Sequence, residues 1–566
     1  MPTYDLLLKG GVVIDGLRTP RYTSDIAIAD GRIARIGGIA ESEAARVIDA
    51  GDLIVAPGFV DLHTHYDSQV FWDPYCTLSG WHGVTSVAIG NCGFGFAPVK
   101  PEHRQRAMLT MERNEAVRAT TMAAGMPWDW ETYPEFLDSL ERTPKGLNML
   151  SYGSLTPLMA YVMGHQDAKD RRPTAEERAR MCAILGEMMD VGACGFSAQL
   201  LGAKTVQRDF DGTPMITDLM SEGDLLAFAE VLREKGRGII QVLGGSEELT
   251  EKLCEVSGRP VVWNAVVLLA DQHGITHGEY RDKLRWLEDA NRRGRRIFGQ
   301  AVTAQNNYEF SLDNWNLFDT MSTWRELTMG TPEERMRKMR DPERRDRLRN
   351  AYRDTNLVGS LSTAIPDLFI GEGFSEETRA LEGMTVGELA ERDNKHPVDV
   401  LLDVSLVDDL QTVFVTPPQQ FDMEAMREIA NAPFTLPGIS DGGAHMKFLT
   451  TGRYPTEFLT HLVRDNGIMD LEQAHWRLSG YPALAAGFED RGFLREGAPA
   501  DLIVYDYDAL KLLPTERLYD FPAGDWRLSQ KAEGYRYTIV NGEITFEDGE
   551  CTGATPGVML RHGRTA

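Results

Sequence analysis

The stretch IVAPGFVDLHTHYD, residues 54–67, places two histidines directly after a run of apolar residues. The apolar run predicts a buried strand, and a Pro-Gly dipeptide marks its entry. His63 and His65 are two residues apart, so on a strand their side chains point to the same side. Two imidazoles at a strand end can share one cation, and the flanking Asp61 and Asp67 favour that interpretation. The alternative is a pair of buried histidines that are hydrogen-bonded without metal.

Beyond this strand, the chain alternates short apolar runs with stretches of helical periodicity. The clearest helix covers residues 174–193, where Thr174 predicts the N-cap and Glu177 completes a capping box. A second helix is predicted over residues 222–236. The other predicted strands lie within residues 85–93, 147–155, 192–200, 238–245, 260–269, 296–304 and 434–443. Repeated strand–helix units indicate an α/β fold with parallel strands, and their number favours a closed (β/α)8 TIM-like barrel with function at the strand carboxyl ends.

The two ends of the chain show the alternating pattern of exposed strands. The dipeptides Asp30-Gly31 and Asn541-Gly542 each predict a hairpin turn. We therefore expect residues 1–56 and 485–566 to form one small β-sandwich domain, with the barrel occupying residues 57–484. Two separate end caps are the alternative.

A highly charged helical segment interrupts the barrel pattern. Residues 331–356 are too polar for a barrel core element, so we predict an insertion near residues 318–395 that packs on the rim. It is either a lid over the site or a solvated helical excursion without a gating role.

The composition narrows the class of protein. The 566 residues include 59 Lys+Arg and 85 Asp+Glu, which gives a net charge of −26. Such an acidic chain repels nucleic acid and anionic membrane surfaces, so neither is an expected partner. The chain has no apolar run of membrane-spanning length and no recognisable signal peptide at its start. Its 6 cysteines show no CxxC spacing, which favours free thiols and a cytoplasmic location.

Several motifs resemble those of a known enzyme superfamily. Residues 49–67 resemble the opening of the amidohydrolase superfamily, and HGVTSVAIGNCGFGFAP, residues 82–98, resembles the D-aminoacylase group of N-acyl-D-amino-acid deacylases. The likeness covers most of the chain and includes residues 190–200, 438–448, 490–506 and 540–557. The HxH and SDGGAH segments are typical of the superfamily, whereas GNCG is typical of the subgroup.

This resemblance implies roles for four residues, and His445 is a further candidate because it lies four residues after Asp441. His63 and His65 would be metal ligands, and Cys92 matches the cysteine that bridges to a second metal in D-aminoacylases. Asp441 matches the aspartate that contacts metal and carries the proton as general base and then general acid. His445 would assist by binding the oxyanion or the substrate, or it is a rim histidine without a catalytic duty.

The sequence departs from the D-aminoacylase pattern at two strands in the middle of the barrel. There, D-aminoacylases carry one histidine on each strand, whereas Gln241 and Asn264 occupy the matching positions here. Amide side chains are weak, neutral ligands for zinc. We therefore expect Gln241 and Asn264 to bind substrate and the site to hold one zinc ion, with manganese or another divalent ion left open. His273 and His277 are further candidates for substrate binding, or for a second metal.

The resemblance and the ligand set together predict a metal-dependent hydrolase of a C–N amide bond. An N-acyl-amino acid is the expected small-molecule substrate, and a cyclic amide, a carbamate or an ester is the alternative because activated water serves all of them. Arg208 and Lys447 are candidates for binding a substrate carboxylate. A non-catalytic scaffold derived from the same fold is an alternative of another class. The oligomeric state is not predicted, and a homo-oligomer is left open.

Overall fold

The computed structural model describes residues 2–203, 205, 207–268, 279–305, 308–313, 318, 321–352, 363–417 and 422–563. Within these ranges, no helix is long and apolar enough to cross a membrane.

The strands are labelled in chain order. They are β1 (Tyr4–Val13), β2 (Tyr22–Ala29), β3 (Arg32–Ile36), β4 (Ala44–Asp49), β5 (Ile54–Pro57), β6 (Phe59–Asp61), β7 (Val84–Ile89), β8 (Asn148–Ser151), β9 (Gly153–Ser154), β10 (Gly195–Leu200), β11 (Ile239–Gly244), β12 (Val261–Val266), β13 (Ile297–Ala301), β14 (Glu309–Phe310), β15 (Phe369–Glu372), β16 (Val413–Val415), β17 (Thr435–Pro437), β18 (Leu502–Tyr505), β19 (Lys511–Leu512), β20 (Glu516–Phe521), β21 (Asp525–Ser529), β22 (Ala532–Glu533), β23 (Tyr535–Val540), β24 (Glu543–Glu547) and β25 (Glu550–Cys551).

The α-helices are labelled in the same way. They are α1 (Arg104–Glu115), α2 (Ala119–Gly125), α3 (Tyr133–Arg142), α4 (Leu155–Met163), α5 (His165–Asp170), α6 (Ala175–Val191), α7 (Glu222–Lys235), α8 (Glu247–Ser257), α9 (Glu279–Arg292), α10 (Ser322–Thr328), α11 (Pro332–Met339), α12 (Pro342–Ala351), α13 (Glu376–Arg379), α14 (Val386–Asp393), α15 (Pro397–Val407), α16 (Met423–Asn431), α17 (Tyr454–Glu457), α18 (Leu471–His475) and α19 (Tyr481–Ala485).

The centre of the molecule consists of parallel strands that follow one another in chain order. One sheet has the order β6-β7-β8, and a second has the order β9-β10-β11-β12-β13-β17. Only Tyr152 separates β8 from β9, so these two segments continue one strand from one sheet into the other. Every pairing described in the two sheets is parallel, as the predicted crossover connections require. The predicted α/β class is confirmed.

The first and last of these strands are joined just beyond their carboxyl ends. Thr64, after β6, forms a parallel bridge with Gly442, after β17. The backbone N–H of His65 donates to the carbonyl of Gly442 at 2.7 Å. This contact brings the HTH and SDGG motifs together, although they lie at opposite ends of the parallel-strand region in sequence.

Both ends of the chain contribute to a single nine-stranded sheet. Its order is β25-β24-β23-β18-β5-β1-β2-β3, and β4 pairs with β1. Leu8, Ile28, Leu502 and Ile539 are fully buried in one hydrophobic cluster that includes residues from both termini. The predicted hairpins are confirmed, because β2 and β3 pair antiparallel across residues 30–31, as do β23 and β24 across residues 541–542. The shared sheet favours one joint domain over separate end caps, and the small β-sandwich domain stays a prediction.

The predicted helices are confirmed at their starts. The Thr174 side chain caps α6 by accepting a hydrogen bond from the backbone N–H of Glu177. The Glu177 side chain in turn accepts from the backbone N–H of Thr174, which completes the capping box. The predicted helix over residues 222–236 corresponds to α7, which begins with Ser221 as its N-cap. Both helices carry acidic residues in the first turn, where the helix dipole favours them.

The segment between β13 and β17 forms a hydrophobic core of its own. Phe318 stacks on Trp324 with ring centroids 4.4 Å apart, and Leu348 and Leu401 are buried in the same cluster. The charged stretch within this segment forms α11 and α12, whose few apolar residues face that core. Phe414 of β16 lies in the cluster too, so the packed unit extends beyond residue 395. The sequence did not predict this core, because most residues of α11 and α12 are polar and face solvent.

Two histidines outside the metal motifs are buried and hydrogen-bonded. His82 precedes β7 and contacts the hydroxyl of Thr456 and the carbonyl of Gln530, both at 2.8 Å. His475 contacts the hydroxyl of Tyr505 at 2.7 Å. Burial lowers the pKa of each imidazole to about 3. Because β7 begins at Val84, His82 lies at the amino end of its strand, as its sequence position suggested, and not at the carboxyl end where function is expected.

These two histidines predict that the protein loses stability in mild acid. Their folded-state pKa values lie below the ordinary value, so the unfolded chain takes up protons below about pH 6.5 and the folded chain does not. Each then lowers the free energy of unfolding by about 1.4 kcal/mol per pH unit as the pH falls from about 6.5 towards 3. We expect the urea midpoint to fall less between pH 7 and pH 5 in His82→Gln than in the wild type. His461→Gln, at a partly exposed histidine, is the control, and an unchanged pH dependence in His82→Gln would contradict the assignment.

Candidate metal centre

The two histidines of the opening motif lie immediately after β6. His63 and His65 are 2% and 3% exposed, and their ring centroids are 5.4 Å apart. The backbone of His63 is held on both sides, because its N–H donates to Asp61 Oδ1 at 3.1 Å and its carbonyl accepts from the Ser440 hydroxyl at 2.9 Å. Both imidazoles therefore lie side by side in the same buried region, as the i, i+2 spacing predicts.

Cys92 joins the histidine pair from the loop after β7. Its Sγ lies 3.3 Å from His63 Nε2, and ligand atoms of His63, His65 and Cys92 all lie within 4.8 Å of one another. Cys92 has a φ of 56°, and Gly90 and Gly93 on either side also have positive φ. A left-handed turn thus aims the sulfur at the histidines instead of along the strand, which explains the glycines that flank it.

Asp441 approaches the same atoms from the segment after β17. Its Oδ1 lies 3.2 Å from His63 Nε2 and 3.7 Å from His65 Nε2. The Asp441 side chain is 23% exposed, whereas the two imidazoles are almost fully enclosed. The carboxylate is therefore the part of the cluster that a molecule from solvent meets first.

This donor set suits a divalent metal ion. Ligand atoms of His63, His65 and Cys92 form one close group, and the Asp441 carboxylate lies beside both imidazoles. Nitrogen, sulfur and carboxylate oxygen are the ligand types that zinc takes in proteins. Burial, with the negative charges of Asp441 and Glu115, raises the pKa of the Cys92 thiol well above its ordinary value. Only a nearby cation reverses such a shift and yields the thiolate that binds metal.

The protonation states of the histidine and aspartate side chains also favour metal binding. Burial, together with the charge of His63, lowers the pKa of His65 to about 3, so this imidazole is neutral and able to coordinate metal. Burial on its own would raise the pKa of Asp441, but its hydrogen bond to His63 and the neighbouring histidines lower it below the ordinary value. Asp441 is therefore an ionised carboxylate at neutral pH.

Glu115 belongs to this site, although nothing in the sequence indicates it. It is the last residue of α1 and is 1% exposed. Its Oε1 lies 3.9 Å from His65 Nδ1, and its Oε2 lies 3.4 Å from His445 Nε2. Burial, then the charges of Asp441 and Asp67, raises its pKa well above the ordinary value. A single glutamate in an ordinary helical pattern carries no motif, so only the packing of α1 against the site reveals it.

The structure places His445 beside this glutamate. The backbone N–H of His445 donates to the carbonyl of Glu115 at 2.7 Å, and its φ of 55° turns the chain sharply at this point. The side chain is 6% exposed, with burial lowering its pKa below the ordinary value. His445 therefore meets the edge of the cluster beside Glu115, and it lies close enough to Asp441 and His63 for their charges to act on its pKa.

Gln241 and Asn264, predicted to bind substrate, contact the candidate ligands. Gln241 Oε1 accepts from the backbone N–H of Cys92 at 2.8 Å. The Asn264 amide contacts Nδ1 of His63. Both residues are buried. His273 and His277, the other substrate-binding candidates, lie outside the described residues.

The two candidates for a substrate carboxylate are both engaged elsewhere. The Lys447 ammonium is 2% exposed and donates to Asp525 Oδ1 at 2.5 Å. The Arg208 guanidinium donates to carbonyl oxygens of its own loop, among them that of Ala203 at 2.9 Å.

A model of the amidohydrolase family matches residues 46–546 of the chain. The chain therefore belongs to the amidohydrolase family, and within it to the D-aminoacylase-like group that its motifs resemble. The fold and the cluster define a metal-dependent hydrolase, which is the class of protein that the sequence predicts. The alternative of a non-catalytic scaffold therefore loses its support.

Two curated relatives align along essentially the whole chain. The D-aminoacylase of Alcaligenes xylosoxydans xylosoxydans is 26% identical over 567 residues, covering 100% of this chain and 98% of that protein. The N-acyl-D-aspartate deacylase of the same organism is 25% identical over 569 residues, covering 99% and 95%.

Two solved structures share the fold. A D-aminoacylase with a binuclear metal centre superposes with a TM-score of 0.66 at 23% identity, covering 99% of this chain and 100% of that one. The N-acyl-D-glutamate deacylase of Bordetella bronchiseptica, in complex with zinc and a phosphonate inhibitor, superposes with a TM-score of 0.67 at 22% identity and the same coverage.

The cluster predicts that Cys92 is a metal ligand. We expect Cys92→Ala to weaken zinc binding by about 100-fold or more, since loss of an outer partner alone costs about 10–100-fold. Cobalt-loaded wild type should show a thiolate-to-cobalt absorption band that Cys92→Ala lacks. Cys194→Ala, at another buried free cysteine, is the matched control and should keep both properties. A full thiolate band in Cys92→Ala would exclude the cysteine as a ligand.

Proposed function

We propose that the protein hydrolyses the amide bond of an N-acyl-amino acid with the help of one bound zinc ion. The observation that carries this proposal is the position of Asp441 Oδ1, which lies within 3.7 Å of Nε2 of both buried histidines at the most exposed point of the cluster. Whole-length relatives that are deacylases support the bond type.

His63, His65 and Asp441 would hold the ion, with Cys92 as the further ligand. When bound, a divalent ion lowers the pKa of water towards neutrality and polarises the carbonyl of the scissile amide. Zinc fits the mixed nitrogen, sulfur and oxygen donors, whereas manganese prefers sites without sulfur. Zinc is also the ion named with the N-acyl-D-glutamate deacylase.

Asp441 then carries the proton of the reaction. Its ionised carboxylate takes a proton from the attacking water and returns it to the nitrogen of the leaving amine, so one group serves as base and then acid. The enclosed imidazoles fix the carboxylate in place, and its 23% exposure leaves room for the substrate. His445 stands next to this path and is suited to bind the developing oxyanion or the substrate.

A single ion is favoured over two by the residues around the cluster. The D-aminoacylase neighbour has a binuclear centre. In this chain Gln241 and Asn264 offer neutral amides, which bind a second zinc ion weakly. A two-metal alternative would use His273 or His277 as a further ligand.

The substrate class rests on the relatives. The D-aminoacylase and the N-acyl-D-aspartate deacylase, which align along essentially the whole chain, both carry the D configuration in their names, which favours that configuration here. A cyclic amide, a carbamate or an ester is the alternative on the same site. The small-molecule substrate and the acidic chain also support a cytoplasmic enzyme, with homo-oligomers left open.

We also propose the larger architecture that the sequence predicts. The Thr64–Gly442 bridge supports closure of the parallel strands into a (β/α)8 barrel over residues 57–484. Pairing of β5 with β18 supports a small β-domain made of residues 1–56 and 485–566. The segment near residues 318–395, with its own core, is suited to cover the barrel mouth.

The proposal predicts the effect of removing the proton carrier. Asp441→Asn keeps the shape of the side chain but cannot accept the proton, so kcat should fall by about 100-fold to 10,000-fold. The measurement is hydrolysis of a panel of N-acyl-D-amino acids, N-acyl-L-amino acids, aryl amides and cyclic amides by the zinc-loaded enzyme. Full activity of Asp441→Asn on the best substrate would refute the assignment.

Metal removal provides a second test. Treatment with a chelator should abolish hydrolysis, and adding back one equivalent of zinc should restore it, because the described cluster offers ligands for one ion. Metal analysis of the restored enzyme should give about one zinc per chain. A requirement for two equivalents would favour the binuclear alternative.

A further inference from the structure

Four buried polar side chains form a layer on neighbouring strands beneath the metal cluster. In the parallel ladders Ser197 of β10 pairs with Gln241 of β11, and Asn264 of β12 pairs with Gln300 of β13. Asn264 also pairs with Leu243, which lies two residues after Gln241. Paired residues, and residues two apart on a strand, share a face of the sheet. All four side chains therefore point to the same side, and all are at most 1% exposed.

The two nitrogens of His63 have different partners. Its Nε2 faces Cys92 Sγ at 3.3 Å and Asp441 Oδ1 at 3.2 Å, which is the position of the candidate ion. Its Nδ1 contacts the amide of Asn264, on the opposite edge of the ring. The Asn264 side chain is thus placed to hold the orientation of the His63 ring through Nδ1.

We propose that Asn264 and Gln241 are positioning residues for the metal ligands: Asn264 holds the His63 ring through Nδ1, and Gln241 holds the Cys92 loop through its backbone. The inference rests on the proposed one-metal function and deepens it. The two strands on which D-aminoacylases carry histidine ligands would here supply the partners that orient the ligands of a single ion.

The amide of Asn264 suits a partner of a metal-binding imidazole. An imidazole that coordinates through Nε2 keeps an N–H at Nδ1, and Asn264 Oδ1, which has no hydrogen-bond partner among the described residues, is able to accept from it after a half-turn of the amide. A leucine of similar size offers no such bond.

Gln241 and Ser197 hold the loop that carries Cys92. Gln241 Oε1 accepts from the Cys92 N–H at 2.8 Å, and Ser197 Oγ accepts from the Gly93 N–H at 3.0 Å. A left-handed φ is unfavourable in a non-glycine residue, so Cys92 at 56° keeps that conformation only if its surroundings impose it. These two bonds do so, and they keep Sγ directed at His63.

The test for Asn264 measures zinc affinity by competition with a chelator. Asn264→Leu should bind zinc about 10–100-fold more weakly than the wild type while still binding one equivalent. Asn264→Asp should bind zinc as tightly as the wild type, because a carboxylate also accepts from Nδ1–H. Gln300→Leu is the matched control, because none of the described contacts of Gln300 reaches His63 or Cys92, and it should bind normally.

The test for Gln241 uses the cobalt-loaded protein. Gln241→Leu should weaken the thiolate-to-cobalt band, because the loop no longer directs Cys92 Sγ at the ion. Ligand-field absorption from His63, His65 and Asp441 should persist. Circular dichroism of each variant checks that the fold is retained.

Several outcomes would overturn the inference. Wild-type zinc affinity in Asn264→Leu would do so, as would equally weak binding by Asn264→Asp. Binding of two ions by the wild type, with loss of one in Asn264→Leu, would make Asn264 a ligand instead. The proposed function fails separately, namely if the zinc-loaded wild type hydrolyses no amide in the panel, since these readouts do not depend on turnover.

Discussion

The backbone contact between the segment after β6 and the segment after β17 is the constraint on which the site depends. Thr64 bridges to Gly442, and the Ser440 hydroxyl donates to the carbonyl of His63. A Cβ on Gly442 would lie 2.7 Å from the Tyr66 hydroxyl, and one on Gly443 would lie 2.7 Å from the His65 carbonyl carbon. Only glycines allow this approach. It places a carboxylate against two imidazoles that are more than 370 residues away along the chain.

Charge balance in the buried site follows from that packing. The charges of Asp441 and Asp67 raise the pKa of Glu115, and the charges of Asp441 and Glu115 raise the pKa of the Cys92 thiol. Burial raises the pKa of Asp67 to about 7. Negative groups gathered in a low-dielectric region repel one another, and a divalent cation offsets that repulsion. The same cluster that is unfavourable without an ion is therefore well suited to hold one.

Local patterns predicted the elements of this fold well. Capping residues set the start of α6, turn dipeptides set both hairpins, and each apolar run of the middle region contains an observed strand. Each of these signals acts over a few residues, so tertiary packing does not need to be known. The core formed by Phe318, Trp324 and Phe414 was not predicted, because its apolar residues are spread thinly over a charged segment.

The sequence by itself determined the parallel α/β class, the strand that carries His63 and His65, and the family to which the chain belongs. These depend on periodicity and on short motifs, which are local properties. Only the tertiary structure decided that Glu115 reaches His65 and His445, and that Asn264 and Gln241 contact the ligands. Their partners lie between 50 and 330 residues away along the chain, and packing selects such pairs by shape, hydrogen bonding and charge.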